Sequence, residues 1–197
     1  MLRVLISVLA LVVLAACGAK SEWATDAAVA DAVYIHEGPA TLTLFTVISN
    51  RSGAGAHAGL LINGSQRVLF DPAGTWHHPN LPERNDVHFG MTDAAVDFYI
   101  DYHSRVSHHT IRQDIVVSPE VAEAAIRAVR AHGAVSQAMC TQSISSILRT
   151  LPGFEGLPQT LFPKKLYQAF GRLPGVTEEK FFDDDPEENG YILTRGI

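Results

Sequence analysis

Between residues 32 and 70 the chain alternates short β-branched and aromatic runs with turn signals. Ala32–Ile35, Thr41–Ser49, Ala56–Ile62 and Arg67–Phe70 read as strands, separated by Glu37-Gly38-Pro39, by residues 50–55 and by Asn63-Gly64-Ser65. Such spacing predicts an antiparallel meander. Asp71-Pro72-Ala73-Gly74 stops the last strand, and residues 75–90, rich in His, Pro and Asn, read as a long loop. Periodicity then lengthens to that of helices. Thr92 caps a helix to about Ser104, with Asp93 suited to its positive end. A strand over His109–Val117 follows. Ser118-Pro119-Glu120 opens a helix whose apolar face is Val121, Ala125, Ile126 and Val129, closed by Gly133. A further helix spans Cys140–Arg149 with Ile144, Ile147, Leu148 and Leu151 as its stripe, and Pro163 opens a short one to Phe170. Tyr191–Thr194 reads as a final strand. The expected fold is a single α+β domain over residues 32–197, a small antiparallel sheet with helices against one face.

The start of the chain follows different rules. Arg3 precedes an apolar run from Val4 to Val13, too short for a membrane span, and the run ends in Leu14-Ala15-Ala16-Cys17. This ending resembles the lipobox of bacterial lipoproteins. The resemblance implies a signal peptide over 1–16, cleavage before Cys17, a diacylglyceryl thioether on its sulfur and an acylated amine. Two or more acyl chains hold a protein stably where one does not. Residues 17–31 would then be a tether, in which Lys20 to about Ala30 reads as small and polar and ends in a short helix, and Gly18 after the cysteine favours the outer membrane, facing the periplasm, by analogy. A plain signal peptide with an incidental cysteine is the alternative.

Charge removes one class of partner. The chain has 15 basic and 21 acidic residues, a net −6 without a basic cluster, which argues against nucleic acid. Losing residues 1–16 removes only Arg3, leaving 14 basic residues against 21 acidic ones. With Cys17 lipidated, Cys140 has no internal disulfide partner, and an unpaired thiol in an oxidising compartment is either buried or used.

Two segments carry candidate chemistry. In Ala56-His57-Ala58-Gly59-Leu60-Leu61-Ile62 an imidazole begins an otherwise apolar strand; in Met139-Cys140-Thr141-Gln142-Ser143 a thiol sits at a predicted helix start. A helix N-terminus offers unpaired N–H groups and positive potential, which favour thiolate over thiol. A neighbouring imidazolium lowers a cysteine pKa further, from about 8.5 to roughly 3.5–7.5.

These residues, with Asp71-Pro72-Ala73-Gly74 and Phe162-Pro163-Lys164-Lys165-Leu166-Tyr167, resemble the circularly permuted branch of the NlpC-type papain-like thiol hydrolases, which includes bacterial lipoproteins. In that branch the His strand precedes the Cys helix, as here. The resemblance spans about Tyr34 to Phe170. It implies Cys140 as nucleophile, His57 as general base, and a third residue on the next strand that orients the imidazole. Asp71 matches best, with His77 in reserve. A three-residue loop at Asn63-Gly64-Ser65 would set Ile62 opposite Gln66 and His57 opposite Asp71, whereas a two-residue loop would bring Phe70 or Pro72 there. A turn-forming role for Asp71 before Pro72 stands beside the catalytic one. The oxyanion would be held by the Cys140 N–H and a second donor, Gln137 or Tyr34.

The implied activity is cleavage of an amide or ester, in a murein peptide or an acyl lipid, by an envelope-anchored cysteine hydrolase; transfer to an acceptor other than water belongs to the same chemistry. It implies no cofactor and no metal. The rival reading is a papain-like lipoprotein without turnover that serves as a binding or assembly module. Within that rival His57 is a core histidine and Cys140 a member of the helix stripe. His77-His78, His88, His103 and His108-His109 lack zinc-hydrolase spacing, Asp183–Glu188 lacks the ligand order of a calcium loop, and Phe45, Phe98, Tyr99 and Phe170 read as core.

Overall fold

A computed structural model describes residues 19–194 and 196. The predicted signal peptide and Cys17 lie outside the described residues. Among the described residues no helix is long and apolar enough to cross a membrane.

Seven strands form one antiparallel sheet: β1 Thr41–Ser49, β2 Gly55–Asn63, β3 Arg67–Phe70, β4 Glu83–Arg84, β5 Val87–Phe89, β6 His108–Val116 and β7 Thr177–Phe181. Their spatial order is β4-β5-β3-β2-β1-β6-β7. Among the described residues, five α-helices join them: α1 Asp26–Asp31, α2 Asp93–His103, α3 Pro119–His132, α4 Cys140–Leu148 and α5 Pro163–Phe170, followed by a 3₁₀ turn at Gly190–Thr194. The α+β character and the β1-β2-β3 meander agree with the sequence pattern.

Helices cover both faces of the sheet, not one as expected. Leu42, Leu44, Leu60, Ile62, Val68 and Phe70 pack with α3, α4 and α5. The alternate positions Phe45, Leu61 and Leu69 pack with Ala95, Val96, Phe98 and Tyr99 of α2. Successive side chains point to opposite faces of a strand, so a strand apolar on both sets of positions needs two covers. In β1 every residue between the two ends is buried.

Caps fall where the sequence placed them. Thr92 Oγ1 accepts from Ala95 N at 3.1 Å, and Ser118 Oγ accepts from Val121 N, with Pro119 in the first turn of α3.

Four expectations are corrected. Ala32–Ile35 is not a strand: Val33 and Ile35 are exposed, and Tyr34 contributes one backbone bond, its carbonyl accepting from Arg67 N at 2.8 Å. The loop over residues 75–90 contains the β4–β5 hairpin, whose turn residues Asn85 and Asp86 both have positive φ (48° and 67°). This is the conformation of a tight two-residue hairpin turn, favoured by Asn and Asp. Tyr191–Thr194 is 3₁₀ with Ile192 buried. The polar edge strand β7 has no apolar alternation to reveal it; charge is common on edges because it deters further pairing. Within the expected tether, Ala24 N bonds Glu83 O at 2.9 Å, Arg84 lies 4.7 Å from the centre of the Trp23 ring, and Val29 is buried, so this stretch is docked.

Phe70, fully buried in the core shared with α3–α5, is a direct test of this packing. Phe70→Ala is expected to lower unfolding free energy by about 3–5 kcal/mol, read from urea denaturation followed by circular dichroism.

Candidate active site

The strand register sets the site. β2 and β3 pair as Asn63↔Arg67, Ile62↔Val68, Leu61↔Leu69 and Leu60↔Phe70. The loop is therefore Gly64-Ser65-Gln66, one residue later than expected, and continuing the register sets Asp71 level with Gly59. The expected pairing of His57 opposite Asp71 is corrected to a diagonal one. Both side chains remain on one face because the shift is two residues, and diagonal neighbours are within reach of long side chains.

Gly59 makes the diagonal contact possible. A Cβ there would lie 2.3 Å from the Tyr99 hydroxyl oxygen and 3.4 Å from Asp71 Oδ1. Through this gap His57 Nε2 donates to Asp71 Oδ1 at 2.6 Å, and the Tyr99 hydroxyl donates to the same oxygen at 2.7 Å. The Asp71 side chain has no exposed surface; that of His57 is 16 % exposed. Burial pushes the Asp71 carboxyl up, but the charge and hydrogen bond of His57 outweigh it and hold it at about 2. Burial likewise pulls the His57 imidazole down, and Asp71, with a smaller contribution from Cys140, raises it to about 10. His57 is an imidazolium at neutral pH.

Cys140 arrives from the opposite face of the sheet. It is the first residue of α4, which packs on β2, and its sulfur is close enough to the His57 imidazole for the two to bias each other's charge. Since Nε2 is engaged by Asp71, Nδ1 is the ring nitrogen left for the thiol. Burial pushes the thiol up; the positive charge of His57, the Thr141 hydroxyl at 3.7 Å and the Ala58 N–H bring it below its ordinary value. The start of α4 adds the positive end of the helix, with no side-chain cap occupying its first N–H groups. Ala138, two residues before, has φ 65°, a left-handed conformation rare outside glycine, Asn and Asp.

The structure thus brings Cys140, His57 and Asp71 together and leaves the reserve residues apart. His77 is exposed, with Nδ1 3.2 Å from Thr75 O. Tyr34 stacks under Arg67 beside the far end of β2, so it is no oxyanion donor for Cys140. Gln137 is exposed three residues before the thiol. The Cys140 N–H remains the donor that α4 itself supplies.

Three contributors were not legible as site residues. Tyr99, read as core, and His103 are one helical turn apart on α2; Tyr99 reaches Asp71, and the rings of His57 and His103 stack at 5.5 Å and 10°. Burial lowers His103 to about 4, so it stays neutral beside the imidazolium. Asp86, at the turn of the missed hairpin, accepts from Val135 N through Oδ2 at 2.7 Å, and its carbonyl accepts from Asp71 N at 2.8 Å. It ties the carboxylate strand to the segment leading into α4. The i, i+4 spacing of Tyr99 and His103 was the available signal; nothing local marked Asp86.

Among the described residues, His57, Asp71 and His103 form the one group whose ligand atoms converge closely enough for a metal, within 4.8 Å of one another. The 2.6 Å contact between His57 and Asp71 is a direct hydrogen bond. An ion held at about 2.0–2.2 Å from each ligand atom would have to part them.

Two outcomes check this geometry. In a Cys140→Ala background, which removes a thiol titrating in the opposite sense, His57 stabilises fully below pH 6.5, and that contribution is lost as pH rises through its folded value, still raised by Asp71 but below the about 10 that Cys140 helps to set. The Asp71 contribution is full above pH 3.8 and is lost as pH falls towards about 2. Urea midpoints of Cys140→Ala should therefore decline as pH rises above 6.5, and adding Asp71→Asn should flatten the decline. Gly59→Ala, by pushing Tyr99 off the carboxylate, is expected to cost about 1–3 kcal/mol of stability in the same assay and to slow alkylation of Cys140. No family model matches the chain, and neither a curated protein nor a solved structure matches it.

Proposed function

We propose that the protein is a cysteine hydrolase of the bacterial envelope, built on a permuted NlpC-type papain-like core, anchored through Cys17 in the outer membrane and facing the periplasm. The observation that carries the reading is the buried His57–Asp71 pair at 2.6 Å beside Cys140 at the start of α4, an arrangement that raises the imidazole and lowers the thiol. In the proposed cycle the Cys140 thiolate attacks the carbonyl carbon of an amide or ester, and the carbonyl oxygen becomes an oxyanion held by the Cys140 N–H. Collapse breaks the bond to the leaving nitrogen or oxygen, which takes the proton from His57. The product is a thioester on Cys140 and a free amine or alcohol. Neutral His57 then removes a proton from water, the hydroxide displaces the sulfur, and the acid leaves with thiolate and imidazolium restored. Asp71 holds the ring and stabilises its positive form throughout. Murein peptides and acyl lipids are the proposed substrate classes.

A second reading, a binding or assembly module without turnover, is favoured by one observation: Cys140 is 6 % exposed. The two readings differ in what reaches the sulfur.

Iodoacetamide labelling at pH 6 tests the activated thiolate. Wild type is expected to react about tenfold or more faster than His57→Ala, because an ordinary thiol is almost wholly protonated there. Equal rates would sink the activated thiolate. Incubation with murein fragments and with acyl lipids, followed by mass spectrometry of Cys140, then separates the readings: an acyl adduct absent from Cys140→Ala supports hydrolysis, and rapid alkylation without any adduct supports the binding module.

A further inference from the structure

Residues 149–173, which include α5, carry a surface that the catalytic reading does not use. Leu161 and Phe162 are consecutive and exposed, 48 % and 68 %. They are not on a loose loop. Thr160 N donates to Ser145 Oγ of α4 at 3.2 Å, Phe162 N donates to Thr160 Oγ1 at 3.1 Å, and Pro163 is buried. The two side chains are held outward by a backbone fixed on both sides.

The same stretch is rich in positive charge, with Lys164 and Lys165 following directly after Phe162-Pro163. Arg149, Lys164, Lys165 and Arg172 are the basic residues of this stretch and Glu155 its one acidic residue, in a chain of net −6. Arg149, Lys165 and Arg172 line a cleft of about 630 Å³ together with Leu157, Pro158 and Leu173. Arg149 bonds Leu157 O and Lys164 bonds Gly53 O; among the described residues none of the four cations has an acidic partner. Glu178 of β7 meets Tyr167 on the flank of α5. Other large exposed apolar side chains, such as Val106, Val116 and Phe182, stand singly on other elements.

We propose that this face docks on an anionic phospholipid bilayer, with Phe162 and Leu161 entering the interface and the cations over the headgroups. Apolar insertion combined with basic side chains is the pattern by which peripheral proteins hold an acidic membrane surface, and charge complementarity selects that occupant for a face this basic on an acidic chain. The location gives the contact a consequence. A Cβ on Gly55, two residues before His57, would lie 2.6 Å from Lys164 N, and Ser145, which Thr160 bonds, is on the helix that begins with Cys140. Docking would hold the His57 end of β2 next to the bilayer. The inference needs neither catalysis nor the anchor at Cys17.

The test uses the full chain carrying Phe162→Trp and vesicles of phosphatidylcholine with about 30 % phosphatidylglycerol, whose acyl chains are brominated, so that the surface is anionic. Quenching in excess of that of the wild-type tryptophans is expected. It should disappear in phosphatidylcholine alone, and Lys165→Glu/Arg172→Glu should weaken it about tenfold or more while circular dichroism stays unchanged. Absence of excess quenching, or quenching indifferent to phosphatidylglycerol or to the charge reversal, would overturn the proposal. The readout is local to residue 162, so retention of the chain on vesicles through its N-terminus does not mimic it.

Discussion

A carboxylate with no exposed surface has to be matched by a cation, or it takes up a proton. Asp71 is such a group, and its match is His57. Much of the local structure reads as the means of making that match. Gly59 leaves space for the two side chains to meet across a diagonal, Tyr99 donates a second hydrogen bond to the same oxygen, and Asp86 fixes the backbone of Asp71 from the neighbouring hairpin. Removing one partner of a buried pair costs about 3–5 kcal/mol, so these supports are coupled to the stability of the fold as well as to the charge on the imidazole.

That charge is then available to the thiol. The imidazolium and the start of α4 act in the same direction on Cys140, and both act against its burial. The sheet is the reason they converge. Helix α2 lies on one face and α4 on the other, and His57 lies on β2 beyond its last pair with β3, Leu60↔Phe70. The Asp-Pro that ends β3 therefore has two effects: it closes the strand and it supplies the carboxylate. The turn-forming and orienting readings of Asp71 are compatible.

Both the Cys140–His57–Asp71 group and the α5 surface touch the same end of β2. Pro163 and Lys164 pack against Gly55, and His57 follows two residues later. In the proposed arrangement a bilayer contact and a nucleophile are neighbours through the backbone, which would couple where the protein sits to what its site meets.

Sequence alone determined the elements whose patterns are local. Thr41–Ser49, Arg67–Phe70, the caps at Thr92 and Ser118, the start of α4 at Cys140 and the extent of α5 all follow from side-chain period, capping chemistry and proline placement. His57 and Cys140 were marked as candidates by local signals, an imidazole opening an apolar strand and a thiol at a helix start; Asp71 was marked locally only as the end of a strand, and its place beside His57 came from the family resemblance. Tertiary structure decided the remainder. A two-residue register shift replaced the direct His57–Asp71 pairing by a diagonal one. Long-range packing converted Tyr99 from filler into a donor to Asp71 and brought the hairpin turn at Asp86 against Asp71 and Val135. The cover on the second face of the sheet belongs here too. Strand register and the approach of distant elements depend on free energies summed over the whole core, and no window of neighbouring residues contains them.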